Sequence, residues 1–538
     1  MSGGSRILGI GGLDHNGSAS LLEEGQVIAI VETERLVRQK NVGLTSPQLL
    51  DATLDALDTS AVDHVALADA TFVAQRPWLR DHLRARFPSA TQSIHQHHGC
   101  HMAAAFCGSG FEAATVVSVD GKGDGLSAAA GFASRRGGLR VELRVPSAHS
   151  LGRLWWAASL CCRLGDHFAA GKTMAWAAYG EPSLLAALQR HLVLMEDGGF
   201  RLEPGQEPEG LFRQAELLAD WLRAQTRDPA PKTGAAHAEV AASVQALTEI
   251  VIEHLVTRVV AHTGCRQLCL AGGVALNGLV NQRLLREGVV DALYVPPLPD
   301  DRGLSLGAAA LAAIARGQLK PDPGDVLSAY VGPELSAEVL EVPPGFGEVP
   351  CADLIGTVAS MLAEGKLIAW CSGRAEIGPR ALGNRSIFAL PVRAEVRDQL
   401  NQRVKQREPF RPFGCSVPLE YAAEWLEMVG DSPYMLRIVP VKADRRSAIP
   451  AVVHRDGTTR PHTVTAAQHP ELHRLLHRLA LLGHPPVLLN TSLNRRGEPI
   501  ANRGAEALTI AAATGLDAAV IGSRLFVRQT GFLPSSSA

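Results

Sequence analysis

With 538 residues the chain is too long to fold around one hydrophobic core, so we expect two or three domains. Its 46% hydrophobic and 20% charged residues are typical of a globular protein, and its net charge of −2 creates no field that attracts nucleic acid or an anionic membrane. The nine cysteines form no Cys-x-x-Cys pairs and no apolar run is as long as a membrane helix, which argues against structural zinc, a disulfide framework and a membrane span. The N-terminal segment also lacks the apolar stretch of a signal peptide, so we expect a cytoplasmic protein with neither a nucleic-acid nor a membrane partner.

The N-terminal region has the pattern of short strands joined by tight turns. Three apolar stretches are predicted strands: Ile7–Ile10, Ala19–Leu22 and Val27–Val31. The order of strand, aspartate, small-residue turn and strand recurs at Val116–Gly131, where Asp120 and Ser127 stand in the places of Asp14 and Ser18. Two related halves, each opening with a phosphate-facing hairpin, are the plan of the actin-like ATPase and sugar-kinase fold.

Two histidines and two aspartates have the pattern of a metal site. His97 and His101 are four residues apart, so in a helix both imidazoles project from one face. Asp120 follows the β-branched run Ala114–Val119 and opens a glycine-rich turn, and Asp301 follows a second predicted strand. Such a mixed nitrogen and oxygen set suits a divalent transition metal. The spacing fits surface or capping histidines equally well, so both interpretations stay open.

The middle of the chain alternates predicted helices with a glycine-bearing strand end. Helical periodicity covers three stretches: Arg153–Cys162, Pro182–Leu194 and Val240–His262. Gln267–Leu270 is a predicted buried strand, and Gly272 and Gly273 follow it before the next helix. Paired glycines at such a position let the backbone approach a flat ligand or a phosphate closely.

The C-terminal third begins after a breaker-rich region. Residues 320–324 and 342–347 are rich in proline and glycine and flank a predicted boundary, which gives domains 1–335 and 346–538. Within the second domain, basic residues follow apolar strands in turn-like sequences: Arg374, Arg380, Arg385, Lys405, Arg407, Arg411 and Arg460. Guanidinium groups bind phosphate bidentately, so this arrangement favours an anion pocket over a solvated charged face.

These motifs resemble the O-carbamoyltransferase family, which includes nodulation carbamoyltransferases and enzymes that decorate antibiotics. The matching stretches run in the family's order along nearly the whole chain: His97-x-x-x-His101, Lys172–Gly180, Ala271–Asn277, Asp301–Ala309, Gly378–Ser386, Arg411–Phe413 and Leu489–Asn494. Two departures are visible. Trp176 is larger than the residue usual at its place, and His462 stands where many members have glutamine.

The resemblance implies an α/β protein with an actin-like, duplicated N-terminal domain and a YrdC-like C-terminal α/β domain. It implies an ATP-dependent O-carbamoyltransferase that makes carbamoyl-adenylate from carbamoyl phosphate and ATP, with Mg²⁺, in the C-terminal domain. The N-terminal domain would then pass the carbamoyl group to a hydroxyl of a natural product, such as an antibiotic or a sugar. The acceptor is not fixed by the motifs, and a homodimer stays open.

The resemblance also assigns roles to individual residues. His97, His101, Asp120 and Asp301 look like the family's ligands for Fe(II) or another divalent metal. Lys405, Arg411, Arg460 and Ser492 fall where the family handles carbamoyl phosphate and the adenylate, and His15 is added to the catalytic residues from its position next to Asp14 in the first hairpin. Residues placed in nucleotide or cofactor binding are Asp14, Lys172, Gly272, Gly273, Asn277, Arg380, Arg385, Asn490, Thr491 and Asn494. Of these, His15 is our candidate general base, since an imidazole titrates near neutrality; hydrogen bonding within a turn is its alternative role.

Three other functions share parts of this pattern. A threonylcarbamoyl-type tRNA-modifying enzyme would combine the same folds, but the neutral charge argues against a tRNA partner. Hydrogenase-maturation carbamoyltransferases carry Cys-x-x-Cys zinc modules, which this sequence lacks. A non-catalytic, nucleotide-binding actin-like scaffold would have no reason to keep both the metal motif and the basic motifs.

Overall fold

The computed structural model describes residues 5–203, 214–226, 234–319, 324–336 and 338–529. Strands and helices are mixed along the chain, so the predicted α/β class is confirmed. The chain divides into two compact units, here unit 1 (Met1–Thr33 and Gly43–Leu327) and unit 2 (Glu34–Val42 and Ser328–Ala538). No sequence pattern indicated that the short segment Glu34–Val42 belongs to unit 2, although the residues before and after it belong to unit 1. Apart from residue 324, the breaker-rich stretch 320–324 lies outside the described residues.

Unit 1 contains two five-stranded sheets. Their strands are β1 (Arg6–Gly11), β2 (Ser18–Glu23), β3 (Gln26–Glu32), β4 (His64–Ala68), β5 (Thr91–His95), β6 (Ala113–Gly123), β7 (Leu126–Ser134) and β8 (Gly138–Pro146), with β9 (Leu192–Leu194) and β10 (Phe200–Leu202) as a separate pair, then β11 (Gln267–Ala271) and β12 (Ala292–Tyr294). The first sheet has the order β3-β2-β1-β4-β5 and the second the order β8-β7-β6-β11-β12.

The two sheets share one topology. In each, a three-stranded antiparallel meander is extended by two parallel strands, β4 and β5 beside β1, or β11 and β12 beside β6. Parallel neighbours require a crossover, and the intervening chain supplies helices for it. The repeated strand–aspartate–turn pattern of the sequence therefore corresponds to a repeated strand order.

Along the sequence, the helices of the N-terminal 319 residues come between these strands or after the last of them. They are α1 (Thr33–Val37), α2 (Pro47–Leu54), α3 (Ala70–Gln75), α4 (Pro77–Arg86), α5 (His97–Gly108), α6 (Leu151–Cys161), α7 (Ala170–Ala177), α8 (Leu185–Gln189), α9 (Ala215–Ala224), α10 (Ala238–Thr263), α11 (Gly278–Arg286) and α12 (Leu304–Ala315). Short 3-10 turns occupy Ser147–His149, His167–Ala169, Gly273–Leu276 and Asp301–Gly303. Helix α10 ends at Gly264, whose φ of +68° suits a left-handed C-cap.

Among the described helices, α10 alone is long and apolar enough to cross a membrane by length and composition. However, 67% of its apolar window is buried in the protein, as in the core helix of a globular domain.

Three predicted elements have different bounds in the structure. The stretch Pro182–Leu194 was expected to be one helix, but only α8 is helical and the end of the stretch is β9. The strand predicted to end at Asp120 continues as β6 to Gly123, and the strand before Asp301, predicted over Ala292–Pro297, is β12 and ends at Tyr294. In each case periodicity alone could not mark where tertiary pairing begins or ends.

Unit 2 is built on one mixed sheet of eight strands, in the order β13-β22-β21-β14-β15-β20-β16-β19. The strands are β13 (Phe346–Val349), β14 (Ile368–Cys371), β15 (Arg385–Ala389), β16 (Gly414–Pro418), β17 (Val439–Pro440), β18 (Thr458–Thr459), β19 (Pro461–Val464), β20 (Leu488–Ser492), β21 (Ala518–Ile521) and β22 (Arg524–Arg528), of which β17 and β18 form a separate pair. The helices are α13 (Leu354–Ala363), α14 (Glu395–Gln399), α15 (Leu419–Trp425), α16 (Pro470–Leu481) and α17 (Gly504–Thr514), with a π-helix at Leu400–Lys405 and 3-10 turns at Ala443–Ala448 and Pro450–Val452.

The alternation of side chains along these strands produces two cores. Ile368 and Trp370 of β14 face one core, which α13 and α16 cover, and Ala369 and Cys371 face the other, which α17 covers. Successive residues of a strand point to opposite faces, so a strand buried on both sides must be apolar at every position. Because helices cover both faces of this sheet, polar groups that bind a ligand are expected at the strand ends and in the loops that follow them.

Candidate functional site

In unit 1, the four predicted metal ligands come together from three elements. His97 opens α5 and His101 follows one turn later, Asp120 lies in β6, and Asp301 begins the turn before α12. The two imidazoles project from one helix face, as their spacing predicts. We call these four residues the metal cluster.

The ligand atoms of the metal cluster converge on one point. His101 Nε2 lies 2.9 Å from Asp120 Oδ2 and 3.4 Å from Asp301 Oδ1, and the two histidine Nε2 atoms are 3.1 Å apart. All four ligand atoms lie within 4.8 Å of one another. Bonds of about 2.0–2.2 Å from a central ion place tetrahedral ligand atoms about 3.5 Å apart, so these residues fit a small divalent metal.

A second layer of carboxylates orients the first histidine. Asp69 Oδ2 lies 3.3 Å from His97 Nδ1, and Asp124 accepts a 2.8 Å hydrogen bond from the His97 backbone N–H. A proton held on Nδ1 leaves the Nε2 lone pair facing the metal cluster. Neither aspartate was among the predicted site residues, although Asp69 directly follows the buried strand β4 in the same strand–aspartate pattern as Asp120. That repeated pattern was the available signal.

Glycine and arginine fix the surroundings of the cluster. A Cβ on Gly123 would lie 2.0 Å from the His97 ring, so only glycine leaves room for this imidazole. Arg302 pairs with Glu32 at 3.2 Å and with Asp300, and so anchors the turn that presents Asp301.

The metal cluster is built to hold positive charge. Burial lowers the pKa of His97, but the carboxylates of Asp301, Asp120 and Asp69 outweigh it and raise that pKa well above its ordinary value. Burial likewise raises the pKa of Asp120, yet the hydrogen bonds from His101 and His97 outweigh it and hold it well below its ordinary value. Protons therefore occupy the imidazoles when nothing else neutralises the carboxylates.

His15 lies beside the metal cluster. Its Nε2 is 3.5 Å from Asp301 Oδ2, and its ring contacts Phe168 edge-on at 5.6 Å. Among the described residues, no group hydrogen-bonds its Nδ1. The neighbouring Asp14 is more than half exposed and lies 3.9 Å from Arg76, so the structure places His15, but not Asp14, at the cluster.

Three residues predicted to bind the nucleotide in unit 1, Gly272, Gly273 and Asn277, fall into two groups in the structure. Gly272 has a φ of +86°, and a Cβ there would lie 2.2 Å from the Val119 carbonyl; a Cβ on Gly273 would lie 3.1 Å from Asp120 Oδ1. These glycines therefore pack directly against the strand end that carries Asp120. By contrast, Asn277 caps α11, and its amide pairs with the Gln245 side chain at 2.8 Å.

Two further side chains of this unit are held by backbone carbonyls. The Lys172 ammonium donates to the Leu164 carbonyl at 3.2 Å. The Trp176 indole N–H donates to the Ala236 carbonyl at 2.9 Å, and its ring stacks on Tyr179 at 5.0 Å.

In unit 2, Lys405 forms the centre of a polar group. It ends the π-helix and is almost fully buried, and its ammonium donates to the Ser492 carbonyl, to Ser492 Oγ at 3.2 Å and to Asn494 Oδ1 at 2.8 Å. Ser492 Oγ in turn donates to Asn494 Oδ1 at 2.6 Å. The structure therefore brings Lys405 together with Ser492 and Asn494, which lie about 90 residues further along the chain.

Several arginines surround this lysine with little compensating negative charge. Burial lowers the pKa of Lys405 well below its usual value, and Arg407, Lys40 and Arg411 lower it further. Burial also lowers the pKa of Arg460 strongly, followed by the repulsion of Arg380, Arg407 and Arg411. The residues Lys405, Arg380, Arg407, Arg411 and Arg460 are called the anion pocket below. Lys40, from the segment Glu34–Val42, was not identified in the sequence.

Arg460 and Arg407 are buried cations with little compensating negative charge. The Arg460 Nε is shielded from solvent and has no hydrogen-bond partner among the described residues. Burial, then Arg411, lowers the pKa of Arg407 to about 9, and the carboxylate of Glu408 lies 3.7 Å from Arg411. A desolvated cation without an equal number of carboxylates is costly, and a bound phosphate removes that cost.

The structure places Arg385 among backbone carbonyls. It is fully buried in β15, and its guanidinium donates to the carbonyls of Ser372 at 2.7 Å, Asn384 at 3.0 Å and Asn502 at 3.2 Å. These bonds hold the loops at the end of the sheet, and the ligand-binding role implied by the motif stays a prediction.

Asn490 and Thr491 lie on β20. The Asn490 amide donates to Ser416 Oγ at 2.9 Å, and Thr491 pairs with Ile387 in the sheet. Ser416 Oγ also contacts His462 Nδ1 at 3.1 Å, and burial lowers the pKa of His462 to about 3, so this imidazole is neutral. His462 thus offers a neutral hydrogen-bonding group to Ser416.

Comparisons with known proteins agree with this two-part arrangement. Residues 82–310 match the family described as Carbamoyltransferase N-terminus, and residues 359–528 match Carbamoyltransferase C-terminus. The nodulation protein NolNO of Sinorhizobium fredii is 33% identical and aligns with 96% of this chain and 79% of its own length. The nodulation protein NolO of Bradyrhizobium diazoefficiens is 34% identical over 82% of this chain and 80% of its own length.

A third relative has a named reaction. The 3'-hydroxymethylcephem-O-carbamoyltransferase of Amycolatopsis lactamdurans is 33% identical over 69% of this chain and 66% of its own length. Among solved structures, HypF in a phosphate- and nucleotide-bound form covers 58% of this chain and 56% of that chain at 14% identity, with a TM-score of 0.35, which is too low to support an argument.

Proposed function

This chain belongs to the carbamoyltransferase family, and from that premise we propose that it transfers a carbamoyl group to a hydroxyl of a small secondary metabolite, such as an antibiotic or a sugar. The observation that carries the proposal is that one chain holds both a buried metal cluster and an anion pocket. A non-catalytic scaffold would not bear the cost of two sets of buried charges.

We place formation of the activated carbamoyl group in unit 2. Nitrogen donates into a carbamate carbonyl, so the carbonyl is a poor electrophile and needs a good leaving group. Carbamoyl phosphate, ATP and water would give carbamoyl-adenylate, phosphate and pyrophosphate. Lys405, Arg411 and Arg460 would neutralise the phosphate oxygens, and Ser492 and Asn494 would orient the bound groups by hydrogen bonds.

Transfer to the acceptor belongs to unit 1 in this proposal. The acceptor oxygen attacks the carbamoyl carbon and the bond to AMP breaks. His15 would take the proton of the attacking hydroxyl, since its imidazole lies next to Asp301. His97, His101, Asp120 and Asp301 would hold a divalent metal, Fe(II) in our proposal, which supplies Lewis-acid chemistry when bound.

The finer fold assignments follow from the same family membership. The repeated β3-β2-β1-β4-β5 order supports an actin-like, duplicated fold for unit 1, and we propose a YrdC-like fold for the mixed α/β unit 2. ATP with Mg²⁺ would be the nucleotide substrate and the cytoplasm the site of action.

The test measures pyrophosphate released from ATP with and without carbamoyl phosphate. Release should require both substrates and should fall at least about 100-fold in Lys405→Ala, which removes one charged donor from the phosphates. Lys366→Ala, at an exposed lysine of the same unit, is the matched control and should keep wild-type release. Release without carbamoyl phosphate, or none from folded, iron-loaded protein, would contradict the carbamoyl-adenylate step.

A further inference from the structure

We propose a second transition-metal site in unit 2, formed by Glu420 of α15 and by His473 and His477 of α16. It shares no residue with the metal cluster of unit 1 and does not depend on the proposed function. Its ligand would be a divalent ion of the Zn²⁺, Co²⁺ or Ni²⁺ type.

The geometry brings three ligand atoms together. His473 and His477 are four residues apart on α16, so both rings project from one face, with centroids 4.4 Å apart. Glu420 Oε1 lies 2.7 Å from the Nε2 of each ring, and the two Nε2 atoms are 3.3 Å apart. Paired histidines at this helical spacing with a carboxylate are an established type of zinc ligand set.

Protons satisfy this arrangement less well than a metal would. If both Nε2 atoms carry hydrogens, two N–H groups must point at one oxygen from positions 3.3 Å apart. If one is unprotonated, its lone pair faces the carboxylate at 2.7 Å and repels it. An ion at about 2.0–2.2 Å from each atom uses both lone pairs and one carboxylate oxygen at once, after only a small outward movement of the side chains.

The charge state and exposure of the three residues also suit a metal. A glutamate carboxylate is ordinarily ionised near neutrality and so supplies the negative charge that a divalent ion needs. The Glu420 side chain is 47% exposed and His477 35% exposed, which leaves an entry path and a position for water. Imidazole ligands favour zinc-like ions over Mg²⁺ or Ca²⁺.

A bound ion would connect two helices that are distant in sequence. Helix α15 directly follows β16 and α16 follows β19, and these two strands are parallel neighbours with Cys415 opposite Pro461. Linking α15 to α16 would therefore brace this strand pair and stabilise the folded unit, because the ion binds the native arrangement and not the unfolded chain.

The experiment is a calorimetric titration of the full-length, metal-stripped protein with Zn²⁺. Wild type should bind two equivalents, and both the His473→Ala/His477→Ala and the His97→Ala/His101→Ala variants should bind one. The control His484→Ala, just beyond α16, should keep two. A wild type that binds one equivalent, lost only with His97 and His101, would overturn the second site and leave the proposed function untouched.

A second measurement tests the site even if the His473→Ala/His477→Ala variant does not fold. Glu420→Gln keeps the side-chain shape but removes the charge, so Zn²⁺ should raise its melting temperature less than that of the wild type. Equal stabilisation of the Glu420→Gln variant and the wild type, or second-site binding only at millimolar Zn²⁺, would also overturn the proposal.

Discussion

The metal cluster of unit 1 and the anion pocket of unit 2 are charged sites of opposite sense. In the metal cluster, carboxylates exceed what the neutral imidazoles can balance, so the pKa of His97 is raised and protons fill the place of a cation. In the anion pocket, burial lowers the pKa values of Lys405 and Arg460, and the neighbouring cations, which outnumber the carboxylates, lower them further. A site with surplus negative charge is therefore expected to bind a cation, and a site with surplus positive charge is expected to bind an anion.

The largest expected effect concerns the support behind the metal cluster. Asp69→Asn removes the negative charge beside His97 Nδ1 and should weaken metal binding about 10- to 100-fold, while anion binding in unit 2 stays unchanged. Asparagine tolerates the left-handed backbone of Asp69 (φ 69°), so folding should be preserved. Calorimetric titration with Co²⁺ measures the change.

The control for this prediction is the exposed Asp81, which pairs with Arg84 on α4. Asp81→Asn should bind Co²⁺ like the wild type. Unchanged affinity in Asp69→Asn would show that the carboxylate behind His97 contributes nothing to the cluster.

The two sites should respond to pH in opposite directions. A metal must displace protons from His97 and His101, whose pKa values are raised, so metal affinity should increase with pH until these pKa values are passed. An anion needs Lys405 protonated, so affinity for sulfate, whose charge is constant here, should decrease as pH rises through the lowered pKa of Lys405. Each coupled proton changes affinity about tenfold per pH unit.

Titrations with Co²⁺ and with sulfate at several pH values test this contrast. In Lys405→Met the pH dependence of sulfate binding should become weaker, while that of Co²⁺ binding remains. Two affinities that change in the same direction with pH would contradict the opposite charge surplus of the sites.

The smallest effect is on stability. Arg460 bears a shielded Nε without a partner and is repelled by its arginine neighbours, so Arg460→Met should remove that cost and raise the melting temperature by a few degrees, for a gain of about 1 kcal/mol. Phosphate should stabilise this variant less than the wild type. Arg478→Met, at an exposed arginine of α16, should change neither, and a lower melting temperature in Arg460→Met would mean that Arg460 stabilises the anion-free fold.

The sequence determined those features that depend on neighbours within a few residues. The four-residue spacing of His97 and His101 fixes a shared helix face, and the run Ala114–Val119 fixes a strand that delivers Asp120. Local periodicity and turn residues encode such features directly. The motif order along the chain added Lys405 and Ser492, which the fold then brought into contact.

Only the tertiary structure decided which distant residues meet. Asp69 supports His97 because the end of β4 lies beside the start of α5, and Lys40 influences Lys405 because Glu34–Val42 belongs to unit 2. Packing likewise surrounds Arg385 with loop carbonyls, which its position in the motif did not reveal. Contacts between residues far apart in sequence follow from how sheets pair and helices pack, and no local pattern of residues encodes that pairing.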